Sequence, residues 1–104
     1  MEKSVSLGLN DSDIVRIRSQ LERMLGIPFI PRESSYWGGV YYTAATADAV
    51  KVKVYVNHDS SDDTQIDVRF PPDIVILCLS GDSDAPTMKL LSEMEYIAKH
   101  EGSE

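Results

Sequence analysis

Residues 50–70 hold the pattern that most restricts what this chain can fold into. Val50, Val52, Val54 and Val56 alternate with Lys51, Lys53 and Tyr55. Ile66, Val68 and Phe70 alternate with Gln65, Asp67 and Arg69. A period of two puts each apolar set on one face of an extended strand. Between the runs lies Asn57-His58-Asp59-Ser60-Ser61-Asp62-Asp63-Thr64. The pattern predicts a β-hairpin with an acidic tip. Register follows from the need to keep the apolar sets on one side: Val54 opposite Ile66, Val52 opposite Val68, and Lys53 opposite Asp67 as a favourable cross-strand pair.

The rest of the chain is arranged around that hairpin. Residues 1–9 read as a loose or weakly paired arm. Asn10-Asp11-Ser12-Asp13 starts a helix, with Asn10 or Asp11 as its cap and acidic charge suited to its positive end. Ile14, Ile17, Leu21, Met24 and Leu25 then fall on one helical stripe, and Gly26 and Pro28 end it. Residues 27–35, with Pro28 and Pro31, read as an extended connection. Residues 40–46 have strand composition, and a short turn at Ala47-Asp48-Ala49 leads into Val50. Pro71-Pro72 suits a wide turn or a crossing rather than a tight hairpin turn. Residues 74–80 are apolar on both alternating sets, the mark of a strand covered on both sides. A second helix is expected from Pro86, burying Leu90, Leu91, Met94, Ile97 and Ala98, with Gly102 as its end and His100 near its negative pole.

These elements predict one domain over residues 1–104 in the α+β class. The expected form is a two-layer sandwich: a mainly antiparallel four-stranded sheet flanked by an N-terminal and a C-terminal helix, in the order α-β-β-β-β-α. Residues 74–80 need additional cover, from the N-terminal arm, a second helix position or another subunit.

Charge narrows the partners. The net charge is −7, and residues 57–84 concentrate it, with seven aspartates against Arg69 alone. That balance disfavours nucleic acid and anionic membranes and favours a basic protein partner, or simply solubility. No apolar run reaches the length of a membrane span, and no signal-like hydrophobic segment opens the chain. Cys78 is the single cysteine, so no disulfide forms within the chain, which favours the cytoplasm. Its apolar surroundings in sequence suggest a packed core thiol.

Motifs with specific chemistry are absent. There is no phosphate loop, dinucleotide fingerprint, zinc spacing or nucleophile elbow, and no cofactor or metal is implied. Asp59-Ser60-Ser61-Asp62-Asp63 lacks the central glycine and late glutamate of a calcium loop. His58 with an adjacent aspartate is the one candidate for a small enzyme, and a solvated loop is the simpler account of it. Phe29, Tyr36, Trp37, Tyr41 and Tyr42 make residues 29–42 the most aromatic part of the chain. Tyrosine and tryptophan suit an interface anchor, but Trp37 reads more simply as a core cap, and Tyr36 and Tyr41 suit either role.

If four strands alternate in direction, the loops at residues 36–39, 57–64 and 81–84 meet at one end of the sheet. The expected partner-binding residues are then Tyr36, Trp37, Asp59, Asp62, Asp63, Asp82 and Asp84. The leading reading is a non-catalytic, acidic protein-binding module. In size, acidity and α/β composition the chain is similar to the small bacterial immunity and inhibitor proteins, including the barstar type. No residue motif carries that likeness, so no family site is transferred. The resemblance implies an immunity protein that neutralises a basic, nuclease-type toxin by masking its active cleft. The other readings are a small secretion-type chaperone or dimeric subunit, the His58 enzyme, and a scaffold element without independent activity. Monomer and homodimer both remain open.

Overall fold

The computed structural model describes residues 2–34, 39–58 and 65–103. In chain order the elements are β1 (Glu2–Gly8), α1 (Ile14–Leu25), β2 (Ile30–Ser34), β3 (Gly39–Ala45), β4 (Lys51–Val56), β5 (Val75–Asp82), α2 (Pro86–Ser92) and β6 (Ala98–Ser103). The strands form one antiparallel sheet in the order β2-β3-β4-β5-β1-β6. The class is α+β, as the sequence predicts, but the sheet has six strands and not four.

Four local expectations are overturned. Residues 1–9 are not a loose arm: β1 lies between β5 and β6, and its Val5, Leu7 and the following Leu9 are buried. Residues 30–34 pair with β3 as an edge strand, where Pro31 is tolerated. The expected second hairpin strand does not form. Asp67 instead accepts from the Arg69 backbone N–H at 3.0 Å and from its guanidinium at 2.7 and 3.0 Å, closing a side-chain turn. Val68 is consequently 82% exposed. Finally, α2 stops at Ser92, and residues beyond Ile97 become β6, because the free edge of β1 offers them a full ladder. His100 therefore sits on a strand with its ring edge-on to Phe70 at 4.9 Å, not at a helix end.

With 66–70 out of the sheet, β4 pairs directly with β5. Val54 lies opposite Leu77 on one side and Tyr42 on the other. Lys53 lies opposite Cys78 and Thr43, not Asp67.

Both helices cover one sheet face. Val5, Leu7, Val52, Val54, Leu77 and Leu79 meet Ile17 and Leu21 of α1, Met88 and Leu91 of α2, and Phe29. Leu90, expected in this core, is exposed because α2 turns Met88 and Leu91 to the sheet instead, and Ile97, also expected there, lies beyond the helix end and is exposed. Asp13, not Asn10 or Asp11, caps α1 by accepting from the Arg16 N–H at 3.1 Å, while Asp11 accepts from the Asp13 N–H at 2.8 Å, and Gly26 ends the helix in the left-handed conformation. Ala85 gives α2 no side-chain cap. Asp48, from the β3–β4 turn, takes that role: it accepts from the Thr87 N–H and the Thr87 hydroxyl, both at 2.9 Å, and from the Thr46 hydroxyl.

The opposite face is covered over Tyr55 and Ile76 by Phe70, with Ile66, Ile74 and Ala98 around it. The additional cover that residues 74–80 require thus comes from the segment between β4 and β5. Gly8 makes the contact possible, since a Cβ there would stand 2.7 Å from the Phe70 ring. Replacing Gly8 with Ala is expected to push Phe70 off the sheet and cost about 1–3 kcal/mol. Urea unfolding, with the His100 ring proton shifts as a local reporter, checks this.

Candidate functional site

Neighbouring antiparallel strands need only a tight turn between them, yet β4 and β5 are joined by residues 57–74. The described residues of this connection, 57–58 and 65–74, form neither helix nor strand, and a connection longer than about 12–15 residues in a small domain usually serves binding or catalysis. Its base is built on Asn57, the one buried polar or charged side chain among the described residues. The Asn57 amide nitrogen donates to the carbonyls of Asp67 at 3.0 Å, Phe70 at 3.2 Å and Pro71 at 2.8 Å. Its amide oxygen accepts from the Asp67 N–H at 2.8 Å. Its backbone pairs with Ile74 and Asp73, at 2.8 and 3.0 Å. One side chain therefore replaces the ladder that the missing strand would have supplied.

At the mouth of this segment, His58 Nδ1 lies 3.1 Å from Asp73 Oδ1. Asp73 is exposed, with a positive φ of 66°. The carboxylate fixes the orientation of the imidazole, as a neighbouring acid does in general-base pairs. Asp73 comes from the far end of the segment, and the aspartates that follow His58 in sequence, Asp59, Asp62 and Asp63, lie outside the described residues. Among the described residues, no three His, Cys, Asp or Glu side chains are grouped to hold a metal ion.

Of the expected partner-binding residues, Tyr36, Trp37, Asp59, Asp62 and Asp63 lie outside the described residues. Their attachment points are described. Ser34 pairs with Gly39 at the end of the β2–β3 hairpin. Val56 pairs with Val75 at that same end of the sheet. Asp82 and Asp84 are at the other end, beyond the Lys51–Ser80 pair. The convergence of three loops at one end is therefore corrected. With residues 66–70 not a strand, the chain reverses once fewer before β5, and the β5–α2 loop emerges on the opposite side. There the Asp84 N–H donates to the Asp82 carboxylate at 2.9 Å, which holds that carboxyl below its ordinary range.

Cys78 differs from the sequence expectation in another way. It lies in a cross-strand row with Lys53 on β4, Ser6 on β1 and His100 on β6. The Ser6 hydroxyl is 3.6 Å from its sulfur. Burial nevertheless pushes the thiol pKa up, outweighing the Ser6 hydrogen bond and the Lys53 charge. The row places polar chemistry together without producing a thiolate nucleophile. The alternation of Lys51, Lys53 and Tyr55 already places them on one face, but only the strand order reveals what they face.

The chain matches no protein family, no curated protein and no solved structure. No helix among the described residues is long and apolar enough to cross a membrane.

Two outcomes test the site's framework. Replacing Asn57 with Ala removes four hydrogen bonds. The Phe70 carbonyl keeps Gln65 and the Asp67 carbonyl keeps the Phe70 N–H, but the Pro71 carbonyl and the Asp67 N–H lose their bonds to it. The change should cost about 3 kcal/mol, read by urea unfolding. The second concerns pH. The carboxyls of Asp11, Asp48 and Asp67 are held below 3.8, chiefly by bonds from Arg16, Thr46 and Arg69 respectively. A depressed folded-state pKa contributes stability above the unfolded value, which is lost as pH falls through the folded one. Burial raises the Tyr55 pKa above 10.0, so its contribution is complete below that value and is lost as pH rises beyond it. Thermal unfolding should show a plateau bounded on the acid side near pH 3.8 and on the alkaline side near 9.0, where the raised Cys78 thiol begins to count, with Tyr55 steepening the fall above 10.0. Tyr55→Phe should weaken the alkaline fall and leave the acid fall unchanged.

Proposed function

We propose that this chain is a non-catalytic binding module for a basic protein partner, and most specifically an immunity-type inhibitor that masks the active cleft of a basic, nuclease-type toxin. The observation that supports it is the segment between β4 and β5. It is far longer than its strands require, its base is locked by Asn57, and residues 59–63 within it supply Asp59, Asp62 and Asp63. A fixed stem lowers the entropic cost of ordering a recognition loop on binding. Clustered carboxylates speed the encounter with a cationic surface and discriminate against anionic partners.

Tyr36 and Trp37 join this reading as anchors, since their segment springs from the same end of the sheet. Asp82 and Asp84, at the other end, are left to long-range steering. The contact between His58 and Asp73 supports a second reading, a small hydrolytic or acid–base enzyme.

A pull-down from the source cell followed by salt elution separates the two. The expected result is capture of a basic protein that is released as ionic strength rises. Converting Asp59, Asp62 and Asp63 to Asn should weaken capture at least about tenfold, whereas His58→Ala should leave it intact. Binding indifferent to both salt and the three substitutions would defeat the proposal. Loss of a measurable catalytic activity on His58→Ala would favour the enzyme.

A further inference from the structure

The sheet face opposite the helices is finished differently along its length. Phe70 covers the row of Tyr55 and Ile76. Further along the same strands the side chains become short: Ser6 faces Cys78, and Ser4 faces Ser80. Lys53 and Lys51 stand opposite Cys78 and Ser80 on the next strand. Beyond them, Ile30 and Arg32 rise from the edge strand β2. Short side chains flanked by long ones leave a hollow of about 510 Å³ across five strands. That lies within the roughly 300–1,000 Å³ typical of small-molecule sites.

Its charge runs against the rest of the chain. Every charged side chain lining it is a cation, Arg32, Lys51 or Lys53, in a protein of net charge −7. Among the described residues, Arg32 and Lys51 have no ion-pair partner. No carboxylate of the described residues is in the lining: Glu2 and Asp82 are opposite each other beyond Ser4 and Ser80, and Asp67, whose charge reaches Cys78 from the Phe70 side, is paired with Arg69 at 2.7 Å. The remaining lining is apolar or hydroxylic, with Ala45 and Ile30 beside Thr43 and the serines. Lysine stems themselves offer apolar area below a charged tip.

We propose that this hollow binds a small organic anion, a carboxylate or phosphate monoester carrying an apolar body. The head group is held by Lys51, Lys53 and Arg32 through charge-assisted hydrogen bonds. The body lies over Ala45, Ile30 and the lysine stems. This site is separate from the acidic segment between β4 and β5, so either proposal can fail without the other.

The test is an amide NMR titration of the full chain with octanoate, octyl phosphate and, as a neutral control, octanol. The expected result is saturable shifts with either anion, centred on Ser4, Ser6, Lys51, Lys53, Cys78 and Ser80. The anions should bind at least about tenfold more tightly than octanol. The exposed-face variant Lys51→Gln with Lys53→Gln should lose that preference while its circular dichroism and thermal midpoint stay unchanged. If the double variant unfolds, Arg32→Gln on the edge strand provides the same comparison. Equal affinity for octanol, unchanged anion affinity in the variants, shifts centred elsewhere, or no saturable binding would each overturn the proposal. A difference between octanoate and octyl phosphate identifies which head group the three cations prefer.

Discussion

A strand that is apolar on both sides must be covered on both sides, and β5 imposes that demand on everything around it. Val75, Leu77 and Leu79 call for the helical layer, while Ile76 faces the other way and needs a cover of its own. The helices meet the first need by ordinary amphipathic packing. The second is met by Phe70, carried on an irregular segment that has no ladder of its own and is held by Asn57. A buried amide is a costly device unless its hydrogen-bonding capacity is used, and here the oxygen and nitrogen both find backbone partners. The polar centre of the connection is therefore what allows the apolar cover to exist.

Legibility in the sequence followed the strength of local signals. The stripe from Ile14 to Leu25, the valines of β4 and the run of β5 each carry many apolar side chains with one consistent period, and each formed as its pattern predicts. Val5, Leu7 and Leu9 carry the same alternation in β1, but a short run without strong strand formers between its apolar positions gives little weight to it. Ala98-Lys99-His100-Glu101-Gly102-Ser103 has almost no intrinsic strand preference, and only the open edge of β1 makes it a strand. Ile66, Val68 and Phe70 mislead in the opposite sense. Their alternation is real, but Asp67 and Asn57 offer the backbone better partners than a ladder would.

The candidate sites were less legible than the fold, for a related reason. Which residues share a face can be read from period two, and so Lys51 and Lys53 were correctly set apart from the valines. Which residues share an end of the sheet depends on how many times the chain reverses, and one wrongly assigned strand moves Asp82 and Asp84 across the molecule. Asn57 gave no signal beyond being the first polar residue after β4, since its role depends on carbonyls ten and more residues away.

The position of β1 has a further consequence, for the order of assembly. The earliest strand in the chain lies between β5 and β6, the two latest. The β2–β3 and β3–β4 pairs join neighbours in sequence and can form as local hairpins, but β1 must wait for the whole intervening chain to be positioned. Closing so large a loop is entropically expensive and is rewarded only when both partners are in place. The sheet should therefore grow from its β2–β4 side and finish at its β1–β6 side. Until it finishes, the apolar residues of β1 and β5 are exposed together, which makes this late docking step the interval in which self-association competes with folding.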